Sequence, residues 1–255
     1  MRIRRVAGDA VTTSHNHLGQ PIGFTIGGWS PPPRPALEVL AGRYCRLEPL
    51  DPERHADDLF AAFAAGAGDR LWTYLAYGPF DSAASYRAWQ DTHCRGDDPL
   101  FFAILPNSAG KPAGVASYLR ITPASGSIEV GHILFASSLQ RDVAATEAMY
   151  LLMKQAFELG YRRYEWKCDA LNSASRAAAQ RLGLSYEGIF RQATVYKGRN
   201  RDTAWYAAID SQWPLLQAAF ETWLDPSNFD ASGKQRCRLS DLTRVIRNTD
   251  QGLDD

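Results

Sequence analysis

An excess of charge of either sign is missing from this chain. Its 28 Lys and Arg are matched by 28 Asp and Glu, so the formal net charge is zero. Such a balance offers no electrostatic footprint to a nucleic acid or an anionic membrane surface, and neither is expected as a partner. Long apolar runs are also missing, since no stretch approaches the roughly 18 residues of a membrane helix. The N-terminal MRIRRVAGDAVTTSH carries charge but no apolar core of signal-peptide length. Cysteine is sparse and scattered, at Cys45, Cys94, Cys168 and Cys237, with no Cys-x-x-Cys pair. That pattern is neither a disulfide framework nor a zinc site, so no metal is expected and a reducing cytoplasm is the expected location.

What is present reads as one domain with extensions. At 255 residues, 45% hydrophobic and 22% charged, the chain has the ordinary make-up of a globular protein. Residues 1–42 are interrupted by Gly19, Pro21, Gly23, Gly27, Gly28 and the Pro31, Pro32, Pro33 run. They predict an extended arm, with Phe24, Ile26 and Trp29 laid on the domain and the first dozen residues loose. The domain proper is expected over 43–211, followed by a helix and polar tail over 212–255.

Within the domain, residues 44–50 read as a strand and Asp51-Pro52 as a helix start. The aromatic segment 72–80 is a loop by its Gly78-Pro79, yet too apolar to be solvated. Asp81 or Ser82 starts a second helix to about His93. Strands over 99–105 and 112–121 form a hairpin around 107–110. The centre of the chain is 128–182: strand, turn, long helix ended by Gly160, strand, and a short Ala-rich helix closed by Gly183. This is a βαβ unit with a right-handed crossover expected, and ligands bind where its strand ends meet helix starts. Residues 186–196 and 203–209 make a second hairpin with a polar tip at 197–202. A helix over 214–224 is open to packing on its own sheet or on a second subunit. After Asn228 the chain is expected to trail off.

Residues 128–132 (IEVGH), 140–148 (QRDVAATEA), 172–175 (NSAS) and 183–188 (GLSYEG), in this order, resemble the GNAT superfamily of acyl-CoA-dependent N-acyltransferases. The hairpin with Arg199 and Asp202 adds to the likeness. The chain is most similar to the branch holding the RimJ/RimL-type ribosomal-protein N-terminal acetyltransferases. The resemblance covers about 44–209 and implies a GNAT-like α/β fold. In it a mostly antiparallel central sheet contains one parallel crossover with splayed middle strands, and helices cover both faces. Acetyl-CoA is then the implied co-substrate and a primary amine the implied acceptor, either a small molecule or a protein N-terminus.

Elementary chemistry points the same way. A helix start supplies free N–H groups and a positive dipole end for a diphosphate. Gln140, Arg141, Asp142, Val143, Ala144, Ala145 and Thr146 form such a start. Two departures stand out: Val143 holds a place where the family has glycine, and the Asp142 carboxylate repels phosphate unless it turns away. The resemblance implies that backbone groups of Ile133, Leu134 and Phe135 pair with the pantetheine arm, one of them polarising the thioester carbonyl. It gives Asn172 a bond to pantetheine; the plain reading of Asn172 is a helix cap, and both can hold.

The family's usual tyrosine acid is replaced by Ala179, which leaves Ser175, as in RimL-like proteins, as candidate acid or as a plain first-turn residue. Glu129 and His132 are the candidate bases. Period-two alternation sends them to opposite faces, so at most one is expected to reach the amine, which otherwise loses its proton to water. Glu129 serves the substrate or pairs with Arg191 or Arg199, and Glu165 with Lys167 is a plain ion pair. Trp72, Tyr74, Tyr77, Arg199 and Asp202 are the candidate acceptor contacts. Cys168 reads as a buried structural thiol. The rival reading is a non-catalytic acyl-CoA-binding regulator, which the departures at Val143 and Ala179 admit. An unrelated α/β domain is a third.

Overall fold

The computed structural model describes residues 14–66 and 68–247. The expectation of a loose first dozen residues lies outside them. In chain order a short hairpin, β1 (Ser14–His15) and β2 (Pro21–Ile22), precedes β3 (Leu40–Ala41), β4 (Cys45–Pro49), α1 (Pro52–Ala64) and α2 (Ala83–His93). Then come β5 (Leu100–Pro106), β6 (Gly114–Thr122), β7 (Ser127–Phe135), α3 (Val143–Glu158), β8 (Arg163–Asp169) and α4 (Ser173–Arg181). β9 (Ser185–Tyr196), β10 (Arg199–Ile209), α5 (Trp213–Leu224) and α6 (Leu239–Arg247) complete the order.

Helix starts follow the expected chemistry. Asp51 accepts from the Glu53 amide ahead of Pro52, and Ser82 with Ser85 forms a reciprocal capping box. Asp142 and Asn172 cap α3 and α4 in the same way. Gly183 ends α4 at φ +94°, where Leu216 would lie 2.3 Å from any Cβ, so only glycine fits.

Eight strands form one sheet in the order β3-β4-β5-β6-β7-β8-β10-β9. Every neighbouring pair is antiparallel except β7 and β8, the two strands joined by α3. β5 is buried along its whole length, which requires cover on both faces. Two consecutive residues show that cover. The Phe101 ring meets Trp89 of α2 at 6.2 Å, while Phe102 turns to Tyr118, whose hydroxyl donates to the Leu152 carbonyl in α3.

A buried carboxylate ties the sheet edge to α3. Glu147 accepts from three successive amides, of Arg43 at 2.8 Å, Tyr44 at 2.6 Å and Cys45 at 2.8 Å. Nothing in an Ala-rich helix announces this role.

Three expectations are corrected. The arm does not lay Phe24 and Ile26 on the domain, since both are exposed; Trp29, Pro32 and Pro35 make the inward contacts. The β9–β10 tip is two residues, not six. Lys197 (φ +48°) and Gly198 (φ +69°) form the tight primed turn whose twist suits a hairpin, so residues 199–202 are already strand. The chain does not trail off after Asn228 either. In α6, Leu239, Thr243 and Ile246 are buried at helical spacing, a stripe too short to stand out from its polar neighbours.

These last helices brace α4. Thr243 Oγ1 donates to the Arg181 carbonyl at 3.0 Å, and the Arg181 guanidinium reaches Thr146 Oγ1 and lies 4.9 Å over the Trp223 ring. The apolar face of α5 is spent on its own chain, with Trp213 stacked on Phe157 of α3 at 5.0 Å. Among the described residues no helix is long and apolar enough to cross a membrane.

Candidate active site

The one parallel ladder is incomplete. β7 and β8 pair from Ser127↔Arg163 to Val130↔Trp166 and then stop, although β7 runs on to Phe135 and β8 to Asp169. Beyond that point the strands diverge, and a cavity of about 590 Å³ opens between them. Its lining draws on the loop before α2, on β6, β7, β8 and β10, and on the start of α4.

A bulge on β7 shapes the wall. Between Ser117↔Gly131 and Val115↔Leu134, three residue steps on β7 oppose two on β6, and His132 takes φ +51°. Positive φ is uncommon outside glycine, and such backbone strain clusters at functional sites. The bulge corrects the expectation that Glu129 and His132 face apart, because it shifts the alternation and both line the cavity.

His132 sits in an aromatic nest. Its ring stacks on Tyr77 at 5.6 Å, packs on Phe101 at 4.9 Å, and its Nδ1 lies 3.2 Å from the Tyr77 hydroxyl. Burial, helped by the positive charge of Arg120, lowers its pKa to about 4, so the imidazole is neutral at pH 7. Tyr77 is itself stacked on Trp89 at 4.0 Å, and burial holds its phenol well above the ordinary range.

Glu129 is held by cations other than those expected. Its Oε2 meets Arg120 Nη1 at 2.7 Å and Lys167 Nζ at 2.9 Å, whereas Arg191 and Arg199 do not reach it. Lys167 also pairs with Glu165 at 2.7 Å, as expected, and lies 3.7 Å over the Trp205 ring.

Across the cleft, the Trp166 indole N–H donates to Ser175 Oγ at 2.9 Å, and the Ser175 side chain is also hydrogen-bonded to Cys168. Asn172 Oδ1 accepts from the Ser175 amide at 3.1 Å, so its plain capping role is realised while the residue also lines the cavity. Burial raises the Cys168 thiol, in keeping with an inert structural cysteine.

The remaining candidates divide. Tyr74, Tyr77 and Ile133 line the cavity with those above. Trp72 is buried beneath it, edge-on to Phe63, Tyr77 and Phe80, and serves packing. Arg199 is exposed on the hairpin and Asp202 accepts from the Gln192 amide and Asn200, so neither joins the lining. The side chain of Gln140 donates to the Phe135 carbonyl and closes the turn after β7. Asp142 spends one oxygen on the Ala144 amide, and Thr146 accepts from Arg181.

The acetyltransferase (GNAT) domain family matches residues 45–185. The chain belongs to the GNAT acetyltransferase family. Among solved relatives of this GNAT acetyltransferase, a GCN5-related N-acetyltransferase from Brucella melitensis is 45% identical, with TM-score 0.84 over 86% of this chain and 100% of that one. A probable GNAT-family acetyltransferase from Chromobacterium violaceum is 38% identical, with TM-score 0.72 over 76% and 98%. An acetyl transferase from Salmonella typhimurium that modifies the N-terminal serine of ribosomal protein L7/L12 is 25% identical, with TM-score 0.58 over 68% and 99%. No curated protein matches the chain. The GNAT protein is thus an acyl-CoA N-acetyltransferase, with RimL-type enzymes among its structural neighbours.

Sequence reasoning missed Arg120, Arg201 and Trp205 in this GNAT cavity. Strand alternation places Trp205 beside Lys167 once the β8–β10 register is known, but that register has no mark in the sequence.

Proposed function

We propose that the chain transfers an acetyl group from acetyl-CoA directly to a primary amine, both being held together in the cleft between β7 and β8. The observation that carries this is the ladder broken at Val130↔Trp166 in a member of an acetyltransferase family. On the β8 side, the edge of Ile133, Leu134 and Phe135 has no strand partner, which suits an extended pantetheine arm. At the α3 start Ala144 and Ala145 are small enough for close approach of a diphosphate. Because the Asp142 carboxylate stays on the helix end and takes the Ala144 amide, a diphosphate has the other free amides of the first turn.

The thioester supplies an activated acyl group, and the chain supplies placement and protons. Ser175, oriented by Trp166, donates to the departing sulfur. Of the two base candidates His132 is favoured, because Glu129 Oε2 is committed to Arg120 and Lys167. Neutral His132 accepts a hydrogen bond that aims the amine, whose proton goes to solvent. Asn172 holds both its cap and the pantetheine. A cytoplasmic setting agrees with four free cysteines.

The test is release of free thiol from acetyl-CoA against a panel of primary amines. Amine-dependent release is expected. Tight CoA binding without release on any amine would mean a non-catalytic regulator.

A further inference from the structure

One strand of the cavity carries a cation with no ion-pair partner among the described residues. On β10, alternate residues Arg201, Thr203 and Trp205 all line the cavity, and the register sets Thr203 beside Asp169 and Trp205 beside Lys167. The other cations there are spoken for: Arg120 and Lys167 share Glu129, and Lys167 also holds Glu165. Arg201 has no carboxylate partner among the described residues. Its guanidinium lies 5.9 Å from the Tyr196 ring, and its Nε is buried without an acceptor. Asp169, on the neighbouring strand, makes no ion pair with it; its oxygens accept from the Leu171 amide and the Tyr196 hydroxyl, each at 2.8 Å. The Trp205 indole N–H is a second buried donor without an acceptor, roofed by Phe190 at 4.4 Å. Buried donors of this kind cost free energy unless something accepts from them. A guanidinium fork with its charge unmatched suits a planar carboxylate.

We propose that Arg201 binds the carboxylate of the acceptor, which is a free amino acid with its amine turned toward the thioester. This rests on the acetyl-transfer reading above and narrows it. A protein N-terminus bears an amide where a free amino acid bears a carboxylate, so it lacks the group that Arg201 selects. The aromatic wall of Tyr74, Tyr77 and Phe190 suits an apolar or aromatic side chain on that acceptor.

The test compares phenylalanine with phenylalaninamide, and leucine with leucinamide, by thiol release from acetyl-CoA. Values of kcat/KM are extrapolated to full deprotonation, because the amide's amine is the weaker base. The wild-type protein is expected to favour the acids by about 10- to 100-fold, the worth of a charged hydrogen bond. Arg201→Gln is expected to bring the acid-to-amide ratio near one, and Arg201→Lys to leave it in between. Equal or better use of the amides by the wild type overturns the proposal and leaves acetyl transfer standing. A ratio unchanged in Arg201→Gln overturns it as well. No release from any of the four, with CoA bound, overturns the proposal, and release on another amine of the wider panel then leaves acetyl transfer standing.

Discussion

Replacing Glu147 tests whether one carboxylate fastens the sheet edge to α3. Its Oε2 takes the amides of Tyr44 and Cys45, and its Oε1 takes that of Arg43. Cys45 is fully buried, whereas Tyr44 is half-buried and Arg43 is exposed. In Glu147→Ala one amide is orphaned away from water, at about 1–3 kcal/mol, and two lose charge-assisted bonds that water partly replaces, at about 1 kcal/mol each. The expected loss is about 4 kcal/mol. Glu147→Gln is nearly the same size, and its carbonyl can still take two of the amides. Its NH₂ then faces the third, donor against donor, for about 2 kcal/mol. Urea unfolding followed by tryptophan fluorescence measures both. With a slope of roughly 2–3 kcal/mol/M, the Gln variant should move the midpoint down by about 1 M. A Gln variant with the wild-type midpoint would refute the reasoning, since shape alone would then account for the contact.

Three further outcomes follow from the same geometry. Because burial depresses His132 to a pKa of about 4, the stability it lends is whole above pH 6.5 and is lost as pH falls through 4. His132→Phe should therefore be about 3 kcal/mol less acid-sensitive than wild type between pH 7 and pH 3.5, by the difference of the two unfolding profiles; parallel profiles would contradict this. Ser175→Ala should lower kcat by about 10²-fold with little change in the KM for acetyl-CoA, and unchanged turnover would remove Ser175 as the acid. Leu239→Ala, at a fully buried position of α6, should cost about 3 kcal/mol in thermal or urea unfolding, and a neutral result would mean that α6 is not docked.

The parts of the fold written in local chemistry were legible. Asp51-Pro52 and Ser82 announce helix starts, Gly160 and Gly183 announce ends, and the order of residues 128–182 yields the crossover, because each signal acts on its immediate neighbours. The cleft was legible through the family likeness, which anticipated splayed strands beyond the paired segment. What escaped depends on register and on distant partners. A histidine in left-handed backbone looks like any other strand residue, so the alternation was carried straight through His132. Glu147 looks like a solvated helix residue until the strand edge lies over it. Arg120 and Arg201 are ordinary cations until the sheet is assembled, when one meets Glu129 and the other meets no carboxylate among the described residues.

The grip of Thr243 and Trp223 on Arg181 reaches further than stability. Arg181 closes the same short helix whose first turn presents Ser175, so the proposed proton donor inherits its steadiness from a segment some 70 positions downstream. Loosening that distant segment would free the C-terminal end of α4 and, through it, the placement of Ser175 in the cavity wall.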